Sequence, residues 1–138
     1  MSAKDIFHDA VKHGLEKEGW TITHDPFSLK FGDTRIYIDL GAEKILAAQK
    51  DEQKIAIEIK SFIGDSVLFN FHVAIGQFIN YQVVLQQKEP ERILYLAIPF
   101  QIYNTFFQSL LAKSVLEKYQ IPLIIYDSEN EVILQWLT

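Results

Sequence analysis

The chain is 138 residues long, 49% hydrophobic and 22% charged, a composition that excludes an intrinsically disordered protein and suits one domain, residues 1–138, with one core. It contains no cysteine, which excludes disulfides and thiolate metal sites, and no stretch approaches the roughly 18 apolar residues of a membrane span. A net charge of -5 and a pI near 5.3 argue against nucleic-acid affinity drawn from overall charge, leaving a local basic rim, a metal that cancels an acidic site, or a partner to supply it.

The first element expected is a helix from Ala3 to Glu18, in which Ile6, Phe7, Ala10, Val11, Gly14 and Leu15 recur at helical spacing. Ser2 is placed to cap it, and no uninterrupted apolar run marks a signal peptide, so a cytoplasmic, unexported protein is expected. Gly19 falls where such a helix stops. Trp20 to Thr23 then reads as a short extended run, and His24-Asp25-Pro26 as a turn.

From Ser28 to Ser61 the pattern is strand, strand, strand, with turns at Gly32-Asp33 and at Lys50-Asp51-Glu52-Gln53. Thr34 to Leu40 alternates, so that Ile36, Ile38 and Leu40 share an apolar face and Asp39 is delivered on the other. Ile45 to Gln49 is expected to pair across the charged turn with Ile55 to Ile59. In Lys54 to Ser61, the isoleucines Ile55, Ile57 and Ile59 take one face while Ala56, Glu58 and Lys60 take the other. A carboxylate and an ammonium therefore point the same way, their backbones roughly 7 Å apart.

Phe69 to Gln86 has helical period, with Phe71, Ala74, Ile75, Phe78 and Leu85 as its apolar stripe and Gln77 and Tyr81 projecting together at i, i+4. After the Lys88-to-Glu91 break, Arg92 to Pro99 suits a strand buried on both faces. Phe100 to Tyr119 reads as another helix, Leu123 to Tyr126 as a buried strand, and Asp127 to Asn130 as a turn into a last strand, Val132 to Leu137. The expected class is α/β, a central mixed sheet flanked by helices.

Asp39, Glu58 and Lys60 read as one constellation. Taken singly, charged strand residues are usually a solvated face. In this order, an Asp at a strand end followed after a hairpin by Glu-x-Lys resembles the PD-(D/E)xK nuclease superfamily, although Ile38 stands where that pattern often has Pro. The resemblance implies a restriction-endonuclease-like core. It also implies that Asp39, Glu58 and the carbonyl of Ile59 hold Mg²⁺ or Mn²⁺, with Lys60 acting on the attacking water. Gln77-x-x-x-Tyr81 is similar to the extended motif of the RecB-like branch, where these side chains lie beside the metal; a half-buried helix surface is the other reading. Asp9 or Glu16 on the first helix is either an auxiliary ligand or a solvated charge. His72 has no histidine at metal-type spacing and reads as a packed or surface imidazole.

Over its whole length the chain resembles the XisH family, through Ala3-Lys4-Asp5, Tyr37 to Glu43, Ala56 to Phe62, Phe69 to Gln82 and Ile121-Pro122-Leu123. That resemblance implies a controlling factor for excision of the fdxN element in heterocyst-forming cyanobacteria, and a XisI-like protein partner. DNA and a second copy of the chain are further partners expected. Three functions follow: a metal-dependent DNA endonuclease, a non-catalytic accessory protein of recombination acting through its partner, or a purely structural partner of the XisI-like protein.

Overall fold

A computed structural model describes residues 3–46 and 51–138 of the chain. Helix α1 (Ala3–Lys17) leads into strands β1 (Thr21–His24), β2 (Phe27–Phe31), β3 (Thr34–Ile38), β4 (Leu40–Leu46) and β5 (Asp51–Ile59). Helix α2 (Val67–Lys88) is followed by β6 (Ile93–Pro99), the short α3 (Phe100–Tyr103), a 3₁₀ turn (Phe106–Gln108), α4 (Leu110–Tyr119), β7 (Leu123–Asp127) and β8 (Val132–Leu137).

Six strands form a mixed sheet in the order β1-β4-β5-β6-β7-β8. The central strands β5, β6 and β7 run parallel, while β1, β4 and β8 add antiparallel edges. The continuous apolar sequences of β6 and β7 follow from this placement, since a parallel strand between two helical layers must be apolar on both faces. Strands β2 and β3 pair only with each other, as a separate hairpin.

Two apolar layers cover the sheet. On one face α1 packs Ala10, Val11 and Leu15 against Leu40, Ile55, Ile57, Ala97, Ile124 and Tyr126. On the other, Phe71, Ala74, Phe78 and Leu85 of α2 and Ala112 of α4 meet Ala56, Leu94, Leu96, Ile98 and Ile125. Strand β5 thus splits by the expected alternation: Ile55 and Ile57 face α1, Ala56 faces α2. The hairpin adds Phe27, Leu29 and Ile38 to the α2 side. Gly41 makes that junction close, because a side-chain carbon there would collide with the Phe27 ring and lie 3.0 Å from His24 Nδ1.

Several expectations are corrected. The expected Thr34–Leu40 strand breaks at Asp39, so Leu40 joins the α1 side while Ile36 and Ile38 stay on the α2 side. Strand β4 begins at Leu40, and Leu40 to Leu46 pairs with Ile57 back to Asp51, placing Ile45 opposite Glu52 and not opposite the Ile55–Ile59 run. Residues 47–50, the rest of the expected Ile45–Gln49 strand and the start of its turn, lie outside the described residues, as does Ser2; Asp51 to Gln53 extend β5. The expected helix from Phe100 to Tyr119 is broken. Ser109 is extended, and its hydroxyl accepts the Ala112 N–H at 3.2 Å to start α4 afresh. Helix α2 is longer than expected at both ends, and Ser66 caps its earlier start by accepting the Phe69 N–H at 3.0 Å.

Candidate active site at the carboxyl end of β5

Asp39 is the single residue between β3 and β4, where the chain leaves the hairpin and enters the sheet. Its position is fixed by β5: the Ile59 N–H donates to Asp39 Oδ2 at 2.8 Å. The relation is reciprocal, because the Asp39 N–H donates to Glu58 Oε1 at 3.3 Å. Glu58 Oε2 in turn pairs with Lys60 Nζ at 3.1 Å. Asp39, Glu58 and Lys60 therefore meet at the end of β5, joined by main-chain and side-chain bonds.

The end of β5 is itself held firmly. The Lys60 N–H bonds to the Ala97 carbonyl of β6 at 2.9 Å, and the Tyr126 hydroxyl donates to the Lys60 carbonyl at 3.0 Å. Two residues on, Phe62 adopts a left-handed φ of 58° and buries its ring against Phe107, 5.4 Å between centroids. A non-glycine residue in that conformation is costly and persists because its packing demands it. Lys60 is thus placed on a short, anchored bend.

Glu58 is the only acidic residue buried among the described residues, at 5% exposure. Burial first, and then the charge of Asp39, push its carboxyl up to about 7, with Lys60 opposing. Tyr81 responds to the same field: its hydroxyl is raised by partial burial and by the charges of Glu58 and Asp39. Helix α2 thus holds Tyr81 within electrostatic reach of the carboxylates while its ring packs on the core. Gln77 lies one helical turn earlier, and its Oε1 is buried with no hydrogen-bond partner among the described residues. A buried acceptor left unpaired in this way is suited to a donor absent from the folded chain alone.

On the α1 side a small recess is lined by Asp39, Ile59, Ser61, Phe7 and His8. Neither Asp9 nor Glu16 borders it, and both act on Lys12, whose ammonium is raised first by Asp25. His8 is the residue that the sequence reading missed. It bonds Asp25 Oδ1 at 2.7 Å, and Lys12 bonds Asp25 Oδ2 at 2.9 Å. The available signal was the i, i+4 pair His8 and Lys12 facing a turn aspartate, which indicates a link from helix to turn but not to Asp39. His72 is exposed, beside Phe71, and takes no part.

Among the described residues no group of three or more His, Cys, Asp or Glu side chains is assembled for a metal. The donors that meet there are the Asp39 and Glu58 carboxylates, hard oxygens of the kind that fit Mg²⁺ or Mn²⁺ rather than a softer ion.

The chain is similar over nearly its full length to known proteins. The family model described as XisH protein matches residues 1–134. Among solved structures, the crystal structure of an XisH family protein from Nostoc punctiforme PCC 73102 has a TM-score of 0.89 and 44% identity, covering 97% of this chain and 100% of that one. That of an fdxN element excision controlling factor protein from Anabaena variabilis has the same score and identity, covering 97% and 99%. No curated protein sequence matches the chain significantly. A match spanning both the sheet and the residues around Asp39 and Glu58 fixes the assignment: the chain belongs to the XisH family.

Proposed function

We propose that this chain is a controlling factor for excision of a DNA element, as the Anabaena variabilis relative is described, and that its core is a restriction-endonuclease-like domain of the PD-(D/E)xK type with a phosphodiester-cleaving site. The observation that carries this reading is the joining of Asp39, Glu58 and Lys60 at the end of one central strand. A solvated strand face does not bury its glutamate to 5% exposure or raise it to about 7.

Asp39, Glu58 and the Ile59 carbonyl would hold Mg²⁺ or Mn²⁺, which when bound supplies Lewis acidity toward a phosphate and a water of lowered pKa. The protein's own groups do the rest. Lys60 sets a positive charge where negative charge develops on the phosphate, on a backbone that cannot drift. Tyr81 offers a hydroxyl to the same space, and Gln77 Oε1 an acceptor that can orient a water or a substrate hydrogen. Purified protein incubated with plasmid DNA and Mg²⁺ or Mn²⁺ tests the reading: cleavage in the wild type that Lys60→Ala abolishes supports it.

A second reading, an accessory protein acting through a XisI-like partner, has its own observation. Helix α2 carries no charged residue before Lys88 and exposes Leu68, Phe69, Val73, Ile79 and Val83, with Phe69 64% exposed. A long uncharged helix face of this kind suits a protein contact. Co-purification of the two proteins, lost on Phe69→Glu and Val83→Glu, with no cleavage by either alone, supports that reading instead.

A further inference from the structure

We propose that the outer face of the β2–β3 hairpin binds the phosphodiester backbone of a nucleic-acid strand and guides it to Asp39, an inference that rests on the nuclease reading of the site. The hairpin stands apart from the main sheet, and its two faces differ sharply. Phe27, Leu29 and Ile38 point into the core. Ser28, Lys30, Arg35 and Tyr37 point outward and are all exposed.

Within that outer face Lys30 and Arg35 are directly opposed in the antiparallel register, as are Ser28 and Tyr37. Two cations in such a pair sit about 5 Å apart at their Cβ atoms and repel. Neither has an acidic partner among the described residues; Arg35 Nη1 donates only to Ser28 Oγ, at 2.6 Å. Some of the other cations are held in ion pairs. Lys12 pairs with Asp25, Lys60 with Glu58, and Arg92 with Glu43 and Glu89. In a protein of net charge -5, an opposed and uncompensated cation pair is a local exception, and an anion seated between the two side chains removes their repulsion.

The position of the pair names the class of anion. Arg35, Tyr37 and Asp39 are alternate residues of one chain segment, set about 7 Å apart per step, so Arg35 lies about 13 Å from Asp39 along the strand. A single phosphate held at Arg35 could not also reach the carboxylates. A polymer of phosphates can occupy both, with the 56%-exposed Tyr37 ring between them against a sugar or base.

The test is a binding measurement with fluorescein-labelled duplex DNA, the matching single strand and the matching RNA, in EDTA so that no cleavage intervenes. Lys30→Ala/Arg35→Ala is expected to weaken binding about tenfold or more at ~0.1 M salt and to flatten the salt dependence by about two charges, whereas Lys30→Arg/Arg35→Lys retains both. The alanine pair should melt no lower than the wild type, since it relieves a repulsion. Which of the three probes loses most affinity identifies the strand type. Unchanged affinity and salt slope in the alanine and Lys30→Glu/Arg35→Glu variants overturns the hairpin site while leaving the Asp39–Glu58–Lys60 reading intact. Binding to none of the three probes, even at low salt, overturns the hairpin site. If cleavage with Mg²⁺ or Mn²⁺ is absent as well, the nuclease reading falls with it.

Discussion

The main-chain N–H of Asp39 donates to the side chain of Glu58 at 3.3 Å, while the residue after Glu58 donates its own N–H back to the Asp39 carboxylate at 2.8 Å. This exchange locks the start of β4 to the end of β5, beyond the last ladder pair of Leu40 with Ile57. It also draws two carboxyl groups together in a place where one of them is buried. The fold carries an electrostatic penalty at its centre that a cation, a proton or the loss of one charge relieves.

The first prediction concerns pH. Glu58 binds its proton more tightly in the folded protein, at about 7, than at the ordinary value of 4.5 in the unfolded chain. Between those values the folded state holds more protons, so the contribution of Glu58 to stability is greatest below about pH 4.5, declines as pH rises through 7, and is flat above. The full change is on the order of 3 kcal/mol. Asp25 has the opposite sign, since burial is outweighed by its bonds from Lys12 and His8 and its carboxyl is lowered, but its contribution is lost only at lower pH. Chemical denaturation from pH 5 to 8 should therefore show a decline in wild type that Glu58→Gln removes, and Glu58→Gln should be the more stable protein at pH 8. Parallel pH profiles for the two proteins would contradict this.

A divalent cation should act on the same penalty. Mg²⁺ or Mn²⁺ is expected to raise the melting temperature of the wild type at pH 8, because an ion bound only by the folded state stabilises it by mass action. Glu58→Gln or Asp39→Asn should abolish most of that rise. A metal-induced shift of equal size in both variants places the ion elsewhere.

Gln77 should separate stability from function. Its Oε1 is buried without a partner among the described residues, and leaving such an acceptor unsatisfied costs about 1 to 3 kcal/mol. Gln77→Met, similar in volume, is expected to leave stability unchanged or raise it by about 1 kcal/mol while lowering any cleavage activity. Tyr81→Phe keeps the ring packed on the core and should likewise lower activity with little effect on melting. Destabilisation by either substitution would mean that these side chains serve the core and not the site.

The parts of this arrangement that were legible in the sequence are those set by period. Ile55 and Ile57 take one face and Ala56 the other, as alternation assigns, and Leu94 to Ile98 are buried as a continuous apolar run should be. Register was not legible, because Asp51, Glu52 and Gln53 have turn composition yet continue β5, where Glu52 and Gln53 are exposed and Lys54 lies opposite Glu43. The break between Tyr103 and Leu110 was also hidden, since the apolar period passes through it while Ser109 restarts the helix. His8 comes to line the same recess as Asp39 only through packing of α1 against the sheet, a juxtaposition across 31 positions that no local pattern encodes.

The last prediction divides enzyme from accessory factor. Lys60 Nζ lies 3.1 Å from Glu58 Oε2 and 22% of its side chain is exposed, so it can reach a phosphate without leaving the carboxylate. A cation placed to act on charge that develops during reaction shows its loss in turnover more than in ground-state binding. In the presence of Mg²⁺ or Mn²⁺, and with a XisI-like partner where one is needed, Lys60→Ala should cut DNA about a hundredfold or more slowly than wild type, a loss typical for removal of one transition-state charge contact, while DNA affinity changes far less. Single-turnover cleavage measured alongside equilibrium binding resolves the two quantities. An accessory factor gives a different pair of results: no cleavage by the wild type above the Lys60→Ala background, and normal excision of the element in cells that carry Lys60→Ala. In that case the charged constellation serves the fold, and Lys60→Ala should appear mainly as a loss of stability, because it leaves the buried Glu58 facing Asp39 without its cation.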